Sequence, residues 1–445
     1  HSGVVLRGLE TSWRNLNAGV PQGSVLGPLL FLIFINDISH VINYCNIRLF
    51  ADDTCLFIDI DNASTPDQKA LNRNQAAKSL EDDLSSIQQF STKWLVTFSP
   101  PKTKSLVISN KPDSSLNPPL HFNGYEVEDV KHHKYLGLSF SHNLKWSDHI
   151  NDISTKARKR LSLMIPLKFK LDRLSLETMY NSFVLPTMEY GNIVWGGTFE
   201  TDLNKLNKIH IDAMRLVSGA TARCNIDKLL TETNWQSLST RHSNAVATMV
   251  FKIKHHQTPI YLENLLPHQN INRTHYNLRN QNDIEIQPTR LESFRRSFFP
   301  LSARVWNELP LDTRLSRNLD DFKLKLNTGR AERNILYYYG QRWPSIHHAR
   351  LRIGCSKLNF DLHYNLKVVD SPFCPCGFKF ESAEHFFLEC QRYLDIRHKL
   401  FNVIATYCQV TIDVILFGNS DLSINQNYDI FDAVHSYILE SERFI

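Results

Sequence analysis

Two groups of side chains have types and spacings that can do chemistry. The first is the acid pair Asp52-Asp53, flanked by β-branched and apolar residues from Ile47 to Ile60. That pattern predicts a hairpin with both carboxylates at its tip. Mg²⁺ is held by a few carboxylates together with water and substrate phosphates. Polymerases clamp the attacking and leaving oxygens between two such ions about 3.5–4 Å apart. A solvated turn would use the same two residues. The second group is Cys374, Cys376, His385 and Cys390, with one, eight and four residues intervening. Three thiols and one imidazole suit tetrahedral Zn²⁺, and Gly377 lets backbone amides approach a thiolate. Buried thiols beside a satisfied histidine are the alternative.

The elements that must position these groups can be read from periodicity. Pro21-Gln22-Gly23 predicts a turn, and Gly27-Pro28 opens a hydrophobic helix expected to be buried. Apolar residues at Leu80, Leu84, Ile87, Phe90 and Trp94 have helical spacing, which predicts an amphipathic helix over 75–98. A strand at 105–109 and a short hairpin about Tyr135-Leu136-Gly137-Leu138 follow. From about Trp146 long helices are expected, at 150–167, 174–184, 203–217 and 239–255. Residues 258–345 look irregular, and the last hundred hold the Cys/His group and further helices. The fold class is therefore α+β.

Composition bounds the function. The chain has 445 residues, 42% hydrophobic and 21% charged, with 26 Phe and 15 Tyr, enough to build cores and against bulk disorder. The net charge of +5 is modest. It is concentrated between Lys156 and Arg173, where Lys156, Arg158, Lys159, Arg160, Lys168, Lys170 and Arg173 face one acid, Asp172; this is a basic surface or a solvated helix face. Arg392, Arg397, His398 and Lys399 offer a second set of phosphate contacts, or a solvated helix end. The eight Cys form no disulfide framework. No apolar run is long enough for a bilayer. An intracellular protein, nuclear or cytoplasmic, without a membrane partner, is expected; the oligomeric state is open.

The order of motifs is specific. Residues Gly19-Val20-Pro21-Gln22-Gly23 to Gly27-Pro28 precede Phe50-Ala51-Asp52-Asp53 by about thirty residues, and Lys102-Thr103 and Tyr135-Leu136-Gly137 follow. This resembles the palm of the reverse transcriptases. Trp146-Ser147-Asp148-His149-Ile150 and Pro186-Thr187-Met188-Glu189-Tyr190-Gly191 are similar to the helical region after the palm in jockey-like LINE (non-LTR) elements. The resemblance spans most of residues 15–400.

It implies an RNA-directed DNA polymerase acting on an RNA template and a DNA primer with Mg²⁺. Asp52 and Asp53 would hold the metals, Asp52 most directly, and Phe50 would pack under the hairpin. Pro21, Gln22 and Gly23 would approach template and nucleotide, Lys102 the leaving phosphates, and Tyr135, Leu136 and Gly137 the primer end. The LINE relatives carry a similar Cys/His cluster. Four regions follow: a partial palm at 1–145, a helical thumb-like region at 146–257, an irregular connector at 258–345 and a C-terminal Cys/His region at 346–445. The family also needs a third carboxylate upstream of the Pro-Gln-Gly turn. Only 18 residues precede Gly19, with Glu10 their single acid. The chain is therefore expected to be a fragment, inactive alone, with an exposed sheet edge. A non-catalytic nucleic-acid-binding remnant is the alternative.

Overall fold

A computed structural model gives the structure of the chain. It describes residues 5–6, 9–10, 23–61, 63–109, 117–267, 283–327 and 334–445. The chain divides into two compact units, His1–Trp146 and Ser147–Ile445. The mixture of helices and small sheets is α+β.

In the first unit a short hairpin pairs β1 (Val5–Leu6) with β2 (Leu9–Glu10). Helix α1 (Gly27–Ile35) has Pro28 in its first turn, where a missing N–H costs nothing. The sequence predicts burial of this helix, and the structure departs from it. Only Phe31 and Ile35, one turn apart, pack into the core, while Leu29, Leu30, Leu32, Ile33 and Phe34 are exposed. A helix apolar on every side cannot bury more than one stripe against a single neighbour.

Strands β3 (Asn46–Phe50) and β4 (Asp53–Phe57) form an antiparallel hairpin. No third strand joins them among the described residues, so both edges are open. Helix α2 (Pro66–Trp94) is capped by the Thr65 hydroxyl, which accepts from the Gln68 amide, and ends at Leu95 in the left-handed region. Its stripe of Leu84, Ile87 and Phe90 is buried with Ile35, Ile38, Phe122 and Val127. The strand predicted at 105–109 is only β5 (Lys104–Ser105). It lies parallel to β7 (Tyr125–Asp129), which also pairs with β6 (Leu120–Phe122). The expected hairpin is β8 (His132–Tyr135) and β9 (Leu138–Ser141). Leu136 and Gly137 both have positive φ, as a tight two-residue turn of the primed kind requires.

In the second unit α3 (Ser147–Met164) buries His149, Ile150, Ile153, Ala157, Leu161 and Met164, a 3–4 spacing. Helix α4 (Arg173–Met179) runs through a π turn at Tyr180–Val184 into α5 (Leu185–Glu189), where Pro186 occupies the first turn. There follow α6 (Asn192–Trp195), α7 (Glu200–Ser218), α8 (Ile226–Thr233) and α9 (Leu238–Lys254).

Residues 258–345 were expected to be irregular, yet they hold α10 (Ile260–Leu265), α11 (Glu292–Arg295), α12 (Phe298–Glu308), α13 (Leu311–Arg314) and α14 (Leu319–Leu326). Trp306 and Phe322 close a core on Val250 and Phe251 of α9. The helices are short, and α10 and α13 start directly after Pro259 and Pro310, so their period is hidden in the sequence. Helices α15 (Arg342–Ile353), α16 (Leu394–Ala405), α17 (Ile412–Phe417) and α18 (Ile424–Glu440) complete the chain. They enclose Phe386, Phe387, Tyr437 and Ile438. No helix of the described residues is long and apolar enough to cross a membrane.

Candidate metal centres

The register of the first hairpin pairs Phe50 with Asp53, leaving Ala51 and Asp52 as a two-residue turn. Ala51 has φ of 51°, a left-handed conformation that the tight reversal imposes. Alternation along β3 turns Ile47 and Leu49 to the core and Asn46, Arg48 and Phe50 outward. Phe50 is 63% exposed, so it does not pack under the hairpin as expected. Period two places it on the face of its partner Asp53 rather than on that of Leu49.

Asp52 and Asp53 are both exposed, and their carboxylates have no hydrogen bond or ion pair among the described residues. The chain leading into β3 is fixed by a residue that the sequence reading missed. Asp83, fully buried on α2, accepts from the amides of Asn43 (2.8 Å), Tyr44 (3.0 Å) and Cys45 (2.8 Å). Burial pushes its pKa up, but those amides outweigh it and hold the carboxyl below the usual range. A single acid in an apolar stripe was the available signal, since a buried acid must find donors.

Tyr135 ends β8. Its phenol pKa is raised, first by burial, then by Cys55 and Asp53. The second hairpin therefore approaches the face that carries Asp53. Lys102, on the turn Pro100–Lys102, is exposed, and its ammonium group has no hydrogen bond or ion pair among the described residues. Gly23 is described, with φ of 87° and open space where a Cβ would stand. Pro21 and Gln22 lie outside the described residues, so their approach to the acid pair is not part of this geometry.

The second centre is assembled by the fold. The ligand atoms of Cys374, Cys376, His385 and Cys390 all lie within 4.8 Å of one another. Cys374 Sγ is 3.8 Å from Cys390 Sγ, and Cys376 Sγ is 3.3 Å from His385 Nε2. Tetrahedral zinc with bonds of about 2.3 Å to sulfur spaces its sulfurs by about 3.8 Å, so the donor set fits. The single-residue spacing of Cys374 and Cys376 does not prevent this. Gly377, with φ of 95°, turns the chain so that its amide meets the Cys374 carbonyl at 2.9 Å.

His385 presents Nε2 to the sulfurs because Nδ1 lies 3.3 Å from Glu389, and Phe378 stacks on its ring at 4.3 Å. Cys374 and Cys390 are buried and their thiols are raised, that of Cys374 to about 12, chiefly by burial. At Cys376 the Phe378 amide and neighbouring thiols overcome burial and lower it to about 7. Among the described residues this is the one group of three or more side chains arranged for a metal. Asp52 and Asp53 have no third carboxylate beside them in it.

Residues 4–140 match the family model of the reverse transcriptases, described as RNA-dependent DNA polymerases. The RNA-directed DNA polymerase from mobile element jockey of Drosophila melanogaster is 29% identical over 227 residues, covering 49% of this chain and 24% of that protein. By these matches the chain is similar to the non-LTR retrotransposon reverse transcriptases. The probable RNA-directed DNA polymerase from transposon X-element, from the same fly, is 26% identical over 46% of this chain and 22% of its own. That from transposon BS is 24% identical over 58% and 29%. The chain thus spans about a quarter of the length of these relatives. No solved structure matches it. The reverse-transcriptase match contains the hairpin of Asp52 and Asp53, Lys102 and the Tyr135 hairpin, and leaves the Cys/His centre outside.

The basic residues are less free than the sequence suggests. Lys156 pairs with Asp152, Arg160 binds the Phe183 carbonyl and Thr187, and Arg173 is buried on Glu232. Arg397 is buried against the Cys390 carbonyl and Lys399 pairs with Glu440. Arg173 and Arg397 are thus turned inward and spent on the fold, while Lys156 and Lys399 stay exposed beside their acids.

Proposed function

We propose that the Asp52–Asp53 hairpin is the carboxylate turn of an RNA-directed DNA polymerase palm from a non-LTR retrotransposon. We further propose that this 445-residue chain does not copy RNA alone. The observation that carries the reading is the exposed acid pair on a two-residue turn, with the Tyr135 hairpin close to Asp53. Asp52 would make the direct metal contact, and Asp53 would complete the pair. Mg²⁺ bound there would supply the charge that activates the attacking hydroxyl and stabilises the leaving phosphate.

The chain's own residues would then position the substrates. Pro21, Gln22 and Gly23 would border template and nucleotide, Lys102 the phosphates, and the turn of Leu136 and Gly137 the primer end. The regions would be a palm to residue 145, a thumb-like region at 146–257, a connector at 258–345 and a C-terminal Cys/His region. Among the described residues no third carboxylate stands beside the pair, and losing one member of such a unit costs on the order of 10⁴-fold in rate.

A primed RNA template, Mg²⁺ and the purified chain test both parts. No template-dependent extension is expected; extension that Asp52→Asn abolishes would overturn the inactivity and keep the ancestry. Fe²⁺ substituted for Mg²⁺, with a reductant and peroxide, should cleave the backbone near residues 50–54, and cleavage elsewhere alone would remove the metal role. A second reading, a nucleic-acid-binding remnant, draws on the Cys/His centre, whose donors stand ready for zinc. Salt-dependent binding without synthesis would favour it.

A further inference from the structure

One cavity among the described residues is in neither centre. It lies in the second unit, along α9 and α14, with a volume of about 570 Å³, within the range of small-ligand sites. Its walls follow from helical periodicity. Arg241, Asn244, Thr248 and Lys252 recur every three or four residues on one face of α9, while Val246, Ala247, Val250 and Phe251 fill the core behind them. Lys323 comes from the outer face of α14.

The electrostatics are one-sided. The only acid on the lining is Glu189, and Arg241 holds it with both its Nε and its Nη2, the latter at 2.8 Å. That pair is neutral in sum. Lys252 and Lys323 have no ion pair or hydrogen bond from their ammonium groups among the described residues, so the cavity carries two uncompensated positive charges. The Asn192 and Asn244 amides likewise face it without a partner among the described residues, and Met249 gives it an apolar wall.

We propose that this cavity binds a nucleotide unit of a single-stranded nucleic acid. The two lysines would meet phosphates, the amides would meet a base edge, and the Met249 wall would take the base face. An acidic peptide could use the lysines but would leave amides and apolar wall unmatched. The Glu189–Arg241 pair is the positioning element: it neutralises the one carboxylate that would repel a phosphate, and ties α5 to α9.

The test is binding of a fluorescein-labelled twelve-nucleotide RNA to the full chain, read by anisotropy across a salt series. Lys252→Glu/Lys323→Glu should weaken binding at least tenfold. It should also flatten the slope of log affinity against log salt by about 1.4, since each single-strand phosphate contact contributes about 0.7. Asn192→Ala/Asn244→Ala should weaken binding with the slope unchanged. If charge reversal alters the melting curve, Lys252→Gln/Lys323→Gln gives the same readout with a smaller change.

Affinity within twofold of the parent and an unchanged slope in the lysine variants would overturn the proposal. So would equal displacement of the RNA by polyglutamate, or absence of RNA binding. Asp52→Asn/Asp53→Asn and Cys376→Ser, measured in parallel, separate this site from the two centres. Loss of affinity in those variants alone would remove the cavity and leave the polymerase reading standing.

Discussion

Tyr135 and Asp53 belong to different hairpins, yet Asp53 lies near enough to Tyr135 to raise its phenol pKa, after burial and together with Cys55. This joins two motifs separated by about eighty residues of chain. Asp53→Asn removes a negative charge from beside the phenol, so Tyr135 should titrate at lower pH in the variant. Tyrosine-selective NMR across an alkaline titration reads this, and an unmoved Tyr135 resonance would separate the hairpins.

Asp83 holds three amides of the segment that leads into β3 and so to the carboxylate turn. Asp83→Ala leaves them without their acceptor, and an unsatisfied buried polar group costs about 1–3 kcal/mol. The midpoint of urea unfolding of the first unit should fall accordingly. Because the folded pKa is depressed, the stabilisation is complete above the ordinary carboxylate range and is lost as pH falls through the lowered value.

The Cys/His centre should take up one zinc per chain. Cys374 and Cys390 are buried in a hydrophobic core, so replacing either mixes loss of packing with loss of a ligand. Cys376 is exposed, and Cys376→Ser isolates the metal effect. Elemental analysis should show substoichiometric zinc in that variant, and chelation should lower the melting temperature of the parent but not of the variant. Full zinc occupancy in the variant would exclude this ligand set.

Glu232 is buried between Arg173, at 2.6 Å, and Arg352, at 2.8 Å. Burial opposes its charge, and the two guanidinium groups more than compensate, holding its pKa down. Glu232→Gln leaves two buried cations without an anion, which costs about 3–5 kcal/mol. Chemical denaturation should show a loss of that size. A change below about 1 kcal/mol would mean that water reaches the site.

His210, His347 and His435 are buried and held neutral, each lowered to about 4 mainly by burial. Their folded pKa lies below the unfolded value, so the unfolded chain binds more protons between about pH 6.5 and 4. Stability is full above that window and falls through it by about 1.4 kcal/mol per pH unit for each histidine. Thermal melting from pH 8 to 4 should drop accordingly, and His210→Gln should reduce the slope. For His210 the bond from Tyr180, at 2.6 Å, and the Gln236 carbonyl, at 3.0 Å from Nε2, fix the tautomer, and burial keeps the ring neutral against the pull of that carbonyl.

Local chemistry was legible in the residues alone. The acid pair between two β-branched runs meant a turn, because alternation leaves no other place for adjacent carboxylates; the hairpin of Asp52 and Asp53 and that of Leu136 and Gly137 both formed there. The long amphipathic helices were visible from their period. Three thiols and an imidazole named a metal-binding set, and the order of motifs named the lineage. Burial and pairing were decided elsewhere. Whether Phe50 faced core or water depended on the phase of one strand against α2, and whether α1 was buried depended on how much surface its neighbours offered. Arg173 looked like a phosphate ligand until a helix distant in sequence brought Glu232 to it, and Arg397 until the chain turned it back on the Cys390 carbonyl. The cavity along α9 and α14 has no sequence signature, since its lysines lie about seventy residues apart and its amides about fifty. A period of 3.6 states which residues share a face, and only packing states what that face meets.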